Sequence, residues 1–220
     1  MKHYLNYPYK LFSALFFLIL QGCASTPSTL LPLSLQQPPN WQATVDHILS
    51  IDNWAFTGKI GVRVPESIDS AVINRWQQQE DQFTIDLSSA IFGLGATRIE
   101  GSPNKLTITE SGEDPITSYK PEHLIRQHVG WPLPITQLRY WIKGIPAPSI
   151  TPSDTAEALQ FNNEEQLSQF KQSGWKITYP RYTQLNTTQP LFKGTSLPGK
   201  IVLQQQQVKI TVIVNEWLSP

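Results

Sequence analysis

Residues Trp54-Ala-Phe-Thr-Gly-Lys-Ile-Gly-Val-Arg-Val64 carry the pattern that decides the fold. Every second position (Trp54, Phe56, Gly58, Ile60, Val62, Val64) is apolar or small, and Lys59 and Arg63 fall on the other parity. Successive strand side chains point to opposite faces, so this period of two predicts one long strand with a single buried face. The same period recurs downstream. A turn over Pro65–Ser70 leads into a second strand over 71–79, and Phe83, Ile85 and Leu87 alternate with Thr84 and Asp86 in a third. Residues 97–100 and 105–109 make a hairpin across Gly101-Ser-Pro-Asn104. Strands resume over 166–172, continue through Trp175, Ile177 and Tyr179, and end with 200–204 and 208–217, where Val208, Ile210, Val212 and Val214 alternate again. About ten strands that keep one apolar face close naturally into a barrel or a strongly curled sheet.

Three segments break the period. Trp41 to Ile51, with apolar positions 41, 45, 48 and 49, reads as a short amphipathic helix. Pro121 opens a second helix carrying Leu124, Ile125 and Val129, since proline is tolerated at the first helical position. Trp131-Pro-Leu-Pro134 ends it. Ile135, Leu138, Trp141 and Ile142 mark a third helix, closed by Gly144 and Pro146.

Composition narrows the function. The 220 residues hold 17 Lys+Arg against 17 Asp+Glu, and this balance lacks the basic excess that nucleic-acid binding requires. At 15% charged and 40% hydrophobic, the chain has material for one sizeable core and too little charge for a solvated disordered protein. The single cysteine, Cys23, excludes an internal disulfide and any Cys-based metal cluster. His123 and His128 are five apart on a helix, on different faces, and read as surface or core-edge residues rather than ligands. Gly93-Leu-Gly95 lacks the third glycine of a dinucleotide fingerprint, and no Gly-x-Ser-x-Gly nucleophile elbow occurs. Nothing in the sequence asks for a catalytic residue, a metal or a cofactor.

The N-terminus reads as a targeting device. Lys2 and Lys10 precede Leu11-Phe-Ser-Ala-Leu-Phe-Phe-Leu-Ile-Leu20, an apolar run interrupted only by Ser13. Such a helix rises about 15 Å, half the hydrocarbon thickness of a bilayer, so it is a signal-peptide core and not a permanent span. Leu20-Gln21-Gly22-Cys23 resembles the bacterial lipobox, with Gln21 in place of the usual small residue. The expected organisation is a signal peptide over 1–22, a lipidated Cys23 with an uncharged, proline-rich tether over 23–40, and one domain over 41–220. Ala24 and Ser25 are not the Asp associated with inner-membrane retention, so the resemblance places the chain in the outer membrane, facing the periplasm.

One loop departs from ordinary turn chemistry. Ser88-Ser-Ala-Ile-Phe-Gly-Leu-Gly-Ala96 joins two strands, yet Ile91, Phe92 and Leu94 occupy its centre between glycines. Loop tips normally carry polar turn residues. These side chains either fold back into the core or form an exposed apolar finger for a membrane or hydrophobic partner.

Together these features resemble the LolB family of outer-membrane lipoproteins, which receive lipoproteins from the periplasmic carrier LolA. The matching residues are the lipobox, Trp54-x-Phe56-x-Gly58-Lys59-Ile60-Gly61-Val62, Trp76, Leu87-Ser-Ser with the apolar loop, and Ala96-x-Arg98-Ile99-x-Gly101. Gly130-Trp131-x-Leu133-Pro134, Leu138-Arg-Tyr-Trp141-x-x-Gly144-x-Pro146, Gly174-Trp175-x-Ile177-x-Tyr179 and Lys209-Ile-Thr complete the set. The resemblance implies a mainly β (α+β) fold, an incompletely closed antiparallel β-barrel with a helical lid over an apolar cavity. By parity the cavity wall is Trp54, Phe56, Ile60, Val62, Phe83, Ile85 and Leu87, and the lid contributes Leu124, Ile125, Leu138 and Trp141. The resemblance carries the membrane-active role to Phe92, supported by Ile91, with Leu94 extending the apolar tip. The implied partners are a LolA-type carrier, acylated lipoprotein cargo and outer-membrane lipid. The chain is expected to act as a monomer, without ATP or a covalent step. Two other classes compete: a soluble LolA-like carrier, which a lipobox argues against because a carrier must diffuse, and an anchored lipid-modifying enzyme, which needs a nucleophile and base that the sequence does not offer.

Cys23→Ser is predicted to leave an unprocessed or soluble periplasmic protein. Cell fractionation checks this, and a mutant still cleaved and bound to the outer membrane would refute the lipobox reading.

Overall fold

The computed structural model describes residues 33–88, 96–184, 192 and 194–218. Eleven strands form one antiparallel sheet: β1 (Asn53–Arg63), β2 (Ile68–Gln79), β3 (Gln82–Ser88), β4 (Thr97–Ser102), β5 (Lys105–Glu110), β6 (Ile116–Ser118), β7 (Glu157–Phe161), β8 (Leu167–Gln172), β9 (Trp175–Gln184), β10 (Ser196–Gln205) and β11 (Val208–Leu218). Their order, β6-β5-β4-β3-β2-β1-β11-β10-β9-β8-β7, leaves β6 and β7 as edges, so the barrel is not closed. β1, whose alternation set the fold, lies at the centre, paired with β2 on one side and the last strand, β11, on the other. Trp54, Phe56, Gly58, Ile60 and Val62 are all buried on its inner face, and Lys59 and Arg63 are exposed on the outer.

Curvature comes from irregularities stacked at one level of the sheet. Ile73 and Trp76 of β2 oppose Gly58 and Phe56, which places two residues of β2 against Thr57 alone. On the other side Thr57 faces Glu216 and Gly58 faces Val214, a second bulge in β11. Bulges bend a strand and sharpen its twist, and two flanking the same residue of the central strand bend the sheet as a whole. Gly58 permits the close approach, because a Cβ there would collide with the Ile213 carbonyl oxygen.

Among the described residues three α-helices accompany the sheet: α1 (Trp41–Leu49), α2 (Pro121–Val129) and α3 (Ile135–Trp141). Trp41 packs edge-on against Phe161 of β7, with centroids 5.0 Å apart. Lys143, in the turn after α3, is 4% exposed, and its ammonium donates to the carbonyls of Ile48 (2.9 Å) and Ile51 (2.8 Å). This cation satisfies carbonyls at the C-terminal end of α1 and complements the helix dipole there. Desolvation, reinforced by Arg139 and only partly offset by Asp52, lowers its pKa to about 8.

The sequence reading needs correction at several boundaries. β2 begins at Ile68, inside the expected 65–70 turn, and the hairpin turn after β4 shrinks to Pro103–Asn104. β10 starts four residues early, running through Pro198-Gly199, where its register with β9 shifts. The two edge strands β6 and β7 were not anticipated. Ser34, within the expected tether, is already seated on the domain. It exchanges backbone hydrogen bonds of 2.9 and 2.8 Å with Phe161 at the β7 edge.

Lys143 makes stability depend on pH in a defined direction. Its folded pKa lies below the ordinary 10.5, so the penalty for burying the ammonium is complete below pH 8 and disappears as pH rises toward 10.5. Relative to Lys143→Met, the parent should gain stability across that window, on the order of 3 kcal/mol at most. Denaturation midpoints of both proteins at pH 7 and pH 10 check this, and a constant difference between them would contradict it.

Candidate functional site

The concave face is built from strand parity. Ile60 faces Ala71, Phe56 faces Trp76, Trp76 faces Ile85, and Ile85 faces Ile99, so an apolar row crosses four strands. All seven residues expected in the cavity wall are buried: Trp54, Phe56, Ile60, Val62, Phe83, Ile85 and Leu87 are each at most 8% exposed. The four expected lid residues, Leu124, Ile125, Leu138 and Trp141, belong to the same continuous apolar cluster, with Leu138 and Trp141 fully inaccessible. The lid therefore covers the sheet in this structure. Trp54, Phe56, Trp76 and Trp217 form a contiguous aromatic group, centroids 5.3–6.0 Å apart. Buried within it, the indole N–H groups of Trp76 and Trp217 have no acceptor among the described residues.

The lid is fastened at both ends, to opposite halves of the sheet. At the end of α2, His128 pairs with Glu110 of β5. At the end of α3, the Trp141 indole donates to Gln172 Oε1 of β8 at 2.8 Å, and the Tyr179 hydroxyl of β9 donates to the Trp141 carbonyl at 2.8 Å. Burial pushes the Tyr179 phenol well above its usual pKa, so it remains a donor. β5 and β8 are each second from an edge. The two helices thus form a strap across the mouth of the open sheet. Between these ends the polar links are exposed ones, Thr136 to Glu122 at 2.7 Å and Arg139 to Asp81 at 2.6 Å. Exposed pairs of this kind are worth at most about 1 kcal/mol.

Gln172 was missed in the sequence and does the most at this site. It is 2% exposed, accepts from Trp141 Nε1 and the Ala147 N–H (2.9 Å), and donates to the carbonyls of Ala147 (2.8 Å) and Asp154 (2.7 Å). Its signal was available: it shares parity with buried Phe170, a polar side chain on an inward row. Cys23 and the loop residues Ile91, Phe92 and Leu94 lie outside the described residues. The loop joins β3 to β4, whose last pair before it is Leu87 and Thr97.

The family model described as outer membrane lipoprotein LolB matches residues 52–217, from the start of β1 into β11. The chain belongs to the LolB family. It is 32% identical over 200 residues to the outer-membrane lipoprotein LolB of Marinobacter nauticus, covering 90% of this chain and 91% of that one. To the LolB of Stutzerimonas stutzeri it is 33% identical over 204 residues, covering 91% and 90%. Among solved structures, a LolA superfamily protein from Nitrosomonas europaea aligns with TM-score 0.48 and 9% identity, over 81% of this chain and 93% of that one. As a LolB-family member the chain is an outer-membrane lipoprotein.

The strap yields a direct test. Gln172→Leu keeps the side-chain size but leaves the Trp141 indole and three backbone groups without partners, each costing about 1–3 kcal/mol when buried. Urea denaturation should show a loss on the order of 3 kcal/mol or more, and a loss under about 1 kcal/mol would mean that water replaces Gln172.

Proposed function

We propose that this LolB-family chain accepts acylated lipoproteins from a LolA-type periplasmic carrier, holds their acyl chains against the concave face of the sheet, and delivers them to the outer membrane. The observation that carries the reading is the continuous apolar cluster shared by the inner face of β1–β5 and the helical strap. Each acyl methylene exposed to water costs about 0.8 kcal/mol, so cargo must pass from one apolar environment to another. In the proposed cycle the strap swings away and acyl chains replace its side chains against Trp54, Phe56, Ile60 and their neighbours. The unpaired indole N–H groups of Trp76 and Trp217 favour cargo that brings ester or amide carbonyls. No step requires nucleotide or a covalent intermediate. Transfer in needs a cavity more favourable than the carrier's, and release needs a bilayer more favourable still.

Cys23 would anchor the domain through its acyl chains, effectively permanently. The loop bearing Ile91, Phe92 and Leu94 would then have a separate task. Burial of one such side chain is worth roughly 1.5–3 kcal/mol, small beside a multi-chain anchor. Its role in this reading is local, opening a path through the headgroups as cargo leaves.

Two variants separate acceptance from delivery. Ile60→Glu sets an unpaired carboxylate against the acyl chains and should block acceptance from a lipoprotein–carrier complex, with thermal melting run in parallel because the buried charge also destabilises the fold. Normal transfer by a well-folded mutant would move the cavity to another surface. Phe92→Glu should still take lipoprotein from the carrier yet fail to deliver it to liposomes, at nearly unchanged stability. Unfolding by this substitution would assign Phe92 to the core, and normal delivery would shift the active tip to Ile91 or Leu94.

A further inference from the structure

The overall charge balance conceals a one-sided surface. On the outer face, adjacent strands align their cations: Arg63 of β1 is paired with Lys209 of β11, Lys209 with Gln204 of β10, Gln204 with Lys176 of β9, and Lys176 with Lys171 of β8. A parallel row runs from Lys59 of β1 through Ile213 to Lys200 of β10. Five of these six cations are exposed and Lys200 is half-buried. Two pairs, Arg63 with Lys209 and Lys176 with Lys171, set like charges directly opposite each other, an arrangement that destabilises a sheet. Among the described residues no carboxylate forms an ion pair with any of the six. The nearest acids in the ladder stand at its margins, Glu157 on the edge strand opposite Lys171 and Glu216 opposite Thr57. On the other half of the outer face, by contrast, Arg98 is matched by Asp86 at 2.9 Å.

We propose that the outer face of β1 and β8–β11 docks on anionic phospholipid headgroups, so that the anchored domain rests on the membrane with its basic rows down. The inference rests on the outer-membrane anchoring of the family. Ser34 fixes the incoming chain to β7, next to the Lys171 strand, and it lies only eleven positions after Cys23. An extended segment of that length reaches about 40 Å at most, which keeps this end of the sheet close to the bilayer. The attraction of an anionic leaflet acts within about 10 Å and adds per basic residue. Lysine-rich rows suit this occupant: ammonium groups on flexible stems meet mobile phosphates without a fixed geometry. An acidic protein partner is the alternative occupant.

The test uses the lipidated full chain reconstituted into vesicles, with flotation first reporting anchoring separately. Amine-reactive footprinting then compares phosphatidylcholine vesicles with vesicles holding about 30% phosphatidylglycerol. Labelling of Lys59, Lys171, Lys176 and Lys209 should fall at least about twofold on the anionic vesicles, and recover near 0.5 M salt. Lys105, exposed on the other half of the sheet, serves as the unprotected reference. Lys176→Gln removes a like-charge neighbour, so it should melt no lower than the parent while weakening protection at Lys171 and Lys209. Equal labelling on both vesicle types in a protein that floats would overturn the proposal and leave the anchoring intact. Protection that appears only on adding the carrier protein would overturn it in favour of an acidic protein partner.

Discussion

An open sheet with an apolar concave face cannot stand uncovered in water, and most of this structure answers that constraint. A closed barrel would bury the face permanently and admit nothing. Here β6 and β7 remain separate edges, and two short helices cover the gap. The cover is joined to β5 at one end and to β8 and β9 at the other, so it holds the two halves of the sheet in register while shielding their shared interior. The polar fixings are concentrated at the strap's ends, and its middle relies on Leu124, Ile125 and Leu138 against the sheet. Apolar contacts are non-directional, so another apolar surface can replace them without a geometric match. In the proposed cycle this property lets the cover yield to acyl chains of varied shape.

The curl has its own cause, distinct from the burial that rewards it. Bulges in β2 and β11 flank the same point of β1, and Gly58 lets the β11 backbone approach where any Cβ would obstruct it. Pairing the first strand with the last places this bend at the centre of the sheet. The edges then carry the shortest strands, β6 with 3 residues and β7 with 5, which limits the unpaired backbone offered to other chains.

The parts legible in the sequence were those where one physical term dominates. The alternation in β1, β3 and β11 is set by burial of one face, and it survives the bulges because each adds its extra residue on a neighbouring strand or past the inward positions. The proline-initiated start of α2 was legible for the same kind of reason. Edge strands β6 and β7 lack a full apolar face, so no period marks them. β10 begins at Ser196 because a bulged register accommodates Pro198-Gly199, residues that alone signal a break. Of the site, the inward apolar residues could be read by parity. Lys143 could not, since its partners are carbonyls more than ninety residues away, and nothing local distinguishes a buried cation between Ile142 and Gly144 from a solvated one. The basic rows show the same limit: each lysine is ordinary in its own strand, and only the register between strands aligns them.

The packing of the strap also bears on the direction of transfer. In the proposed cycle, cargo replaces the contacts of Leu124, Ile125 and Leu138, each worth roughly 1.5–3 kcal/mol on burial. A single sixteen-carbon chain brings on the order of 12 kcal/mol of its own burial, so the exchange is favourable but reduced by much of its value. The net affinity is therefore set by how well the strap packs in the empty state. A tighter strap would weaken acceptance from a carrier, and a looser one would hold cargo against the pull of the bilayer. The buried hydrogen bonds of Gln172 sit at the α3 end of the strap, where they hold Trp141 in the closed position. The proposed docking of the outer basic rows draws on charge alone, and those rows take no part in the apolar exchange within.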